Sequence, residues 1–258
     1  MRRPKPAQGS DLGSLSKHTS SARTREIDAS DHACLAKAVD FIESNDTGTV
    51  IAELLPWLSG DGADAVAAHC DFGHAAVLVF PRSLRDLHDQ LQTIGLTVDG
   101  ISQSVVVRDR LCRRYGLPHG SLDVRILRAP VNARDRRRCM IEIFALPLSG
   151  PGALQRGAVQ QLAESERTSG QETHVALAVR DPDALVLPGL RSLLIERSGM
   201  RSDGGGYNKH DGTTVLYFRN DGLPKGIVRR LELIADGHHT SVLTAHLREA
   251  EDFGEVCR

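Results

Sequence analysis

The chain has 258 residues, enough for one large domain or two small ones at ~150 residues per domain. Its 40% hydrophobic and 25% charged content is that of a globular protein rather than a disordered one. The 32 basic and 33 acidic residues leave a formal net charge of −1, which argues against a nucleic-acid partner held by overall charge. No apolar run approaches the ~20 residues that cross a bilayer, so no membrane partner is expected.

Five cysteines, at 34, 70, 112, 139 and 257, form no CxxC pair. An odd count without that spacing predicts neither a disulfide framework nor a thiolate zinc site, and a reducing cytoplasm is the expected setting. Residues 1–28 are Ser, Arg, Lys, Gly and Pro with little apolar content and are read as a disordered tail. Arg2 and Arg3 precede no apolar stretch, so an export signal is not expected. Residues 29–68 read as a helical lead-in. One helix starts at Asp31 as N-cap, with Leu35, Val39 and Ile42 on one face. A second covers Thr49 to Leu58, its last turn weakened by Pro56.

The remainder contains an internal repeat. Gly73-His74-Ala75-Ala76-Val77-Leu78-Val79 and Thr173-His174-Val175-Ala176-Leu177-Ala178-Val179 both read H-x-x-[VL]-x-V, with the histidines 100 residues apart. Each is a short aliphatic, β-branched run and is expected to be a strand. A helical stretch follows each, Ser83 to Gly95 and Pro182 to Gly199, ending at a glycine as a C-terminal cap does. Three strands are expected next in each half: Ser102–Val107, Leu122–Leu127 and Cys139–Leu146, then Met200–Gly206, Thr213–Arg219 and Val228–Ala235. The last strands align Ile141-Glu142-Ile143 with Leu231-Glu232-Leu233, a carboxylate between apolar neighbours. The predicted organisation is a first unit over 69–150, a linker over 151–171, and a second unit with a C-terminal helix over 172–258.

A duplicated βαβββ unit with His on its first strand and Glu on its last resembles the vicinal oxygen chelate superfamily, which includes glyoxalase I, extradiol dioxygenases and the bleomycin resistance proteins. Leu216-Tyr217-Phe218-Arg219-Asn220-Asp221-Gly222, running on to Arg230-Leu231-Glu232-Leu233-Ile234, is similar to that family's Y-F-x-D-P-x-G-x-x-[IL]-E-[LF] ending. The implied fold is α+β: two tandem βαβββ units forming a cupped, metal-centred sheet behind an N-terminal helical lead-in.

The resemblance also implies chemistry. Its dioxygenase branch carries over as His74, His174 and Glu232, the two-His, one-carboxylate set of non-haem Fe(II) enzymes, with positions left for substrate and O₂. Its glyoxalase branch adds Glu142 as a fourth ligand and suits Zn, Ni or Mn. Alternatively, Glu142 orients a histidine or serves as a general base. Tyr217 corresponds to a family tyrosine that hydrogen-bonds substrate or O₂. His210 lies in the Gly-rich stretch Gly204–His210, read as a flexible connection over the site. The leading expectation is an Fe(II) dioxygenase acting on a small molecule that chelates metal through two oxygens, a catechol or a 2-oxo acid. The alternatives are a non-redox lyase or isomerase of glyoxalase or epimerase type, and a metal-free drug-binding protein. A monomer or a homodimer would serve.

Overall fold

A computed structural model describes residues 28–58, 60–149, 156–223 and 229–256; of the tail expected over 1–28, only Asp28 falls among them. Helices α1 (Ala29–Ser44), α2 (Thr47–Leu54) and α3 (Asp61–His69) lead into the first unit. That unit runs β1 (Cys70–Val79), α4 (Leu84–Thr93), β2 (Ile101–Gln103), α5 (Val105–Arg114), β3 (Arg125–Asn132) and β4 (Arg138–Ala145). Helix α6 (Arg156–Ser169) falls within the stretch read as a linker. The second unit runs β5 (His174–Val179), α7 (Val186–Glu196), β6 (Arg201–Asn208), β7 (Thr213–Arg219) and β8 (Arg230–Asp236), and α8 (Thr240–Val256) closes the described chain.

The strands form one eight-stranded sheet in the order β2-β3-β4-β1-β5-β8-β7-β6. Within each unit the first strand runs parallel to the last, β1 with β4 and β5 with β8. The two units meet where β1 pairs antiparallel with β5, placing His74 opposite Ala176, Ala75 opposite Val175 and Ala76 opposite His174. This register is two-fold symmetric about the Ala75–Val175 pair. It puts both histidines on one face, because side chains alternate along a strand.

Alternation also sorts the two cores. Ala75, Val77, Ile141, Ile143, Val175, Leu231 and Leu233 belong to one buried cluster with Leu35, Ile42, Leu54, Leu187 and Leu243 of the lead-in helices, α7 and α8. On the opposite face Ala76, Leu78, Ile126 and Phe144 pack against Val107 and Leu111 of α5 and Leu162 of α6. Strands β1 and β4 are therefore covered on both faces, which fits their near-continuous apolar sequence. His74, His174, Glu142 and Glu232 share the alternation phase of Ala76 and Phe144, and so face the side covered in part by α5.

Several sequence expectations change. Asp28, not Asp31, caps α1, accepting the Ser30 backbone N–H at 2.9 Å. Asp31 is buried; it accepts the Phe80 backbone N–H at 2.9 Å and pairs with Arg167 of α6 at 2.8 and 2.9 Å, fixing α1 to the sheet and to α6. Helix α2 ends at Leu54, consistent with the steric bar that a proline places on helical backbone before it. The strand expected over Ser102–Val107 is only three residues long, and Val105–Val107 open a helix instead. Packing overrides their β-branched preference: Val107, Leu111 and Cys112 are all buried in the α5 face. The Gly-rich run at Gly204–Gly206 lies within β6, and the connection to β7 is the turn that follows Asn208. An added Cβ at Gly205 would stand 2.5 Å from the Val215 carbonyl oxygen, where the β6–β7 register shifts, so close backbone approach explains that glycine.

Candidate metal centre

The register within each unit extends the symmetry to the site. Glu142 pairs with Ala76 and Glu232 with Ala176, each one strand over from the alanine two residues beyond a histidine. On the next strand Arg128 pairs with Glu142 and Tyr217 with Glu232. Histidine, carboxylate and a third side chain thus recur at matched positions in the two halves. Only the third differs, arginine in one and tyrosine in the other.

Three groups converge. His174 Nε2 lies 3.0 Å from Glu232 Oε2, His74 Nε2 lies 3.2 Å from the same oxygen, and the two Nε2 atoms are 3.5 Å apart. All three residues are buried, His174 completely. His174 Nδ1 sits 2.8 Å from the Glu172 carbonyl oxygen. A carbonyl only accepts, so Nδ1 donates to it and Nε2 is the nitrogen that faces the cluster. Nε2 of both histidines and the Glu232 oxygen lie close enough to be bridged either by a proton or by a cation. The spacing suits that cation. With ligand bonds of about 2.1 Å, adjacent donors stand roughly 3.0 Å apart in octahedral and 3.4 Å apart in tetrahedral geometry. The residues present therefore fit a divalent metal ion.

The local electrostatics agree. Burial opposes ionisation of Glu232, but the hydrogen bonds and charges of His174 and His74 override it and hold the carboxyl far below the usual range. Burial also disfavours the charged form of His74, yet Glu142 and Glu232 together raise its pKa. Without a cation, this much negative charge draws a proton onto His74.

Glu142 stands apart. Arg128 Nε donates to its Oε1 at 2.6 Å, while Oε2 remains 3.6 Å from His74 Nε2. Arg128 also reaches Asp211 at 3.5 Å, on the β6–β7 turn of the other unit. Tyr217 is buried, its ring 5.5 Å from that of His174, with the guanidinium carbons of Arg110 and Arg230 at 4.6 and 4.2 Å from its centroid. Burial pushes its phenol well above the ordinary tyrosine value, so it stays protonated.

A cavity of about 440 Å³ opens onto this floor. It is lined by His74, Glu142, Glu232 and Tyr217 below, by Ser102–Val107 along one wall and by Asn208, His210 and Asp211 at the far rim. His210 is an exposed rim residue of the β6–β7 turn; its backbone N–H bonds the Asn208 side chain at 3.0 Å. Arg125 and Arg219 do not line the cavity; they pair with Asp123 and with Asp203 and Asp221.

A buried ionic network backs the site. Glu172, fully buried, is bound by Arg110 at 2.6 Å, Arg114 at 2.8 Å and Arg230 at 3.5 Å. Arg114 also pairs with Glu166, at 2.5 Å, and Arg230 with Asp203, at 2.7 Å. These side chains and Arg128 are absent from the sequence-level candidates. Arg230 was open to detection, because it lies two residues before Glu232 and therefore on the same face. Glu172 and Arg128 carry no such local signal.

The duplicated units are joined about a pseudo-two-fold that brings two histidines and a carboxylate to one point. No family model matches the sequence, and no curated protein matches it. Among solved structures the chain is similar to a hypothetical protein, BH1468, from Bacillus halodurans C-125, at 15% identity and a TM-score of 0.38, over 66% of this chain and 97% of that one. It is similar to methylmalonyl-CoA epimerase from Mycobacterium tuberculosis at 11% identity and a TM-score of 0.37, over 66% and 90%. A variant of Streptomyces coelicolor methylmalonyl-CoA epimerase in complex with 2-nitronate-propionyl-CoA aligns at 15% identity and a TM-score of 0.36, over 65% and 97%.

Proposed function

We propose that this chain is a metal-dependent, non-redox enzyme of epimerase or isomerase type that moves a proton at a carbon next to a carbonyl. His74, His174 and Glu232 would hold a divalent cation, with Zn, Ni and Mn suited to the donor set. A bound cation would supply charge that polarises the substrate's oxygens and acidifies the neighbouring C–H. The substrate is a small molecule offering two oxygens to the metal.

The observation that carries this reading is the second carboxylate beside the cluster. Glu142 lines the cavity, with one oxygen fixed by Arg128 and the other turned toward His74. A carboxylate held next to the donors, but outside their contact, is in position to accept and return a proton. Tyr217, kept protonated by burial, would donate a hydrogen bond to a substrate oxygen. His210 at the rim would contact the part of the substrate that leaves the cavity.

The Fe(II) dioxygenase remains the second reading, favoured by one observation: among the described residues three donors converge, and Arg128 occupies the fourth candidate. That leaves positions open for substrate and O₂. Protein loaded with Zn, Ni or Mn under nitrogen, offered a panel of 2-oxo acids and 1,3-dicarbonyl acids in D₂O, separates the two. Deuterium entering the substrate's acidic position, detected by NMR and lost in Glu142→Gln with metal content unchanged, is the expected result. O₂ consumption with Fe(II) and no exchange would favour the dioxygenase. Neither activity, with no metal retained, would overturn both.

A further inference from the structure

Helix α5 has no counterpart in the second unit, where a turn joins the equivalent strands, β6 and β7. Its first turn, with the residues leading into it, forms one wall of the cavity. The N-cap residue, Ser104, makes no side-chain capping bond, so no side chain takes the backbone N–H groups of the first turn. Ser104 is only 8% exposed, yet its hydroxyl has no hydrogen-bond partner among the described residues. A buried serine at an N-cap usually spends its hydroxyl on the N2 or N3 amide. Here that hydroxyl and those amides are left beside a substrate-sized space. The helix runs for ten residues and has no acidic residue in its first turn, so the positive end of its dipole meets the cavity with no carboxylate of that turn to offset it. Three acidic residues also line the cavity, and all are engaged: Glu142 by Arg128, Asp211 by Arg128 and the Asn208 amide, and Glu232 by His74 and His174.

We propose that the N-terminus of α5 is a second anchor in the cavity, binding through Ser104 and the amides of the first helical turn an oxyanion, carboxylate or phosphate, that the substrate carries apart from its chelating oxygens. This rests on the reading of the cavity as a substrate pocket and narrows it to acidic substrates. The same wall explains the specificity expected along the molecule. Val105 and Val106 are exposed at 48% and 41%, and Ile126 and Phe144 lie deeper, so an apolar segment would fit between the two anchored ends.

The test uses the full chain, isotopically labelled and metal-free, so that chelation at the histidines cannot contribute. Inorganic phosphate and, separately, acetate are titrated at constant ionic strength while the backbone amide signals of Val105, Val106 and Val107 are followed by NMR. Saturable shifts at these amides are expected, with the tighter of the two anions identifying the oxyanion class. Ser104→Asp places a carboxylate on the same amides as an N-cap, so it should weaken anion binding at least tenfold without lowering the thermal midpoint. Ser104→Ala should weaken it several-fold. Absence of saturable shifts in the wild type, or equal shifts in Ser104→Asp, overturns the proposal. Metal binding, measured on the same samples by elemental analysis after reconstitution, reports independently on the metal reading.

Discussion

Glu172→Gln tests whether the buried network behind the site is a working part of the fold. Glu172 is fully buried and bound by three arginines. Burial alone would raise its pKa, but Arg110, Arg230 and Arg114 hold it at about 2, against the usual 4.5. At about 1.4 kcal/mol per pH unit, that depression corresponds to about 3 kcal/mol of stability at neutral pH, of the same order as breaking a buried pair by removing one partner. Because the folded pKa is depressed, the contribution is complete above about pH 4.5 and is lost as the pH falls through about 2; near pH 3.5 about 2 kcal/mol remains. Urea unfolding of wild type and Glu172→Gln at pH 7 and pH 3.5 should therefore give deficits of about 3 and about 2 kcal/mol. The thermal midpoint should fall by roughly 6–12 °C at pH 7. Metal affinity should survive, because His174 Nδ1 bonds the Glu172 backbone carbonyl, which glutamine keeps. A deficit below about 1 kcal/mol, or one that does not shrink in acid, would refute the assignment of this stability to the carboxylate charge.

Four further outcomes follow from the same geometry. Zn²⁺ or Mn²⁺ at about 100 times Kd should stabilise the wild type by about 2.7 kcal/mol in a thermal-shift assay. His174→Ala or Glu232→Ala should abolish that gain, and an undiminished gain would remove those residues from the site. His74 must lose a proton whose pKa is raised, so metal affinity measured by calorimetry should fall by about tenfold per pH unit on the acidic side of that pKa; a flat profile there would exclude His74 as a ligand. Arg128→Gln releases Glu142, 3.6 Å from His74 Nε2, as a potential fourth donor, and should tighten metal binding at least tenfold by competition titration. Unchanged affinity would mean that Arg128 does not withhold it. Gly205→Ala forces a Cβ onto the Val215 carbonyl and should cost about 1–3 kcal/mol by urea unfolding, with no loss pointing to a freely adjustable edge strand.

Much of the candidate site is legible in the sequence because its residues lie at matched positions of two repeated strands. The H-x-x-[VL]-x-V repeat matches His74 to His174 and the apolar-Glu-apolar pattern matches Glu142 to Glu232, but that all four share one face follows only from the strand register. What could not be read depends on register between strands or on packing across the sheet. Arg128 looks like any strand arginine until β3 is laid beside β4 and brings it opposite Glu142. Glu172 sits in the turn before β5, and its three arginines come from α5 and β8, 58 to 62 residues away. Helix α5 itself was hidden by Val105–Val107, which read locally as strand, whereas the burial that decides for helix comes from Leu111 and Cys112 further on and from Ile126 and Phe144 of the sheet. The 68-residue His-to-Glu spacing of the first half, ten more than the second, was a clue to an insertion but not to its structure.

A nearly symmetric framework carries an asymmetric candidate site, through one residue difference and through the insertion. Were Arg128 and Tyr217 the same residue, both carboxylates would have equal claims on the point between the histidines. Arginine opposite Glu142 satisfies that carboxylate with a charge-assisted bond. Tyrosine opposite Glu232 makes no such bond and leaves the carboxylate to the imidazoles. Yet a tyrosine buried there needs support, and it comes from Arg110 and Arg230 over its ring. Arg110 belongs to α5, so one ten-residue segment in the first unit both braces the tyrosine of the second and walls the cavity above it. Through Glu172 the same helix reaches the residue whose carbonyl fixes the His174 tautomer. The candidate metal donors thus occupy matched positions of the repeat, while the Arg128–Tyr217 difference on β3 and β7, together with helix α5, which the second unit lacks, makes the two sides of the cavity unlike.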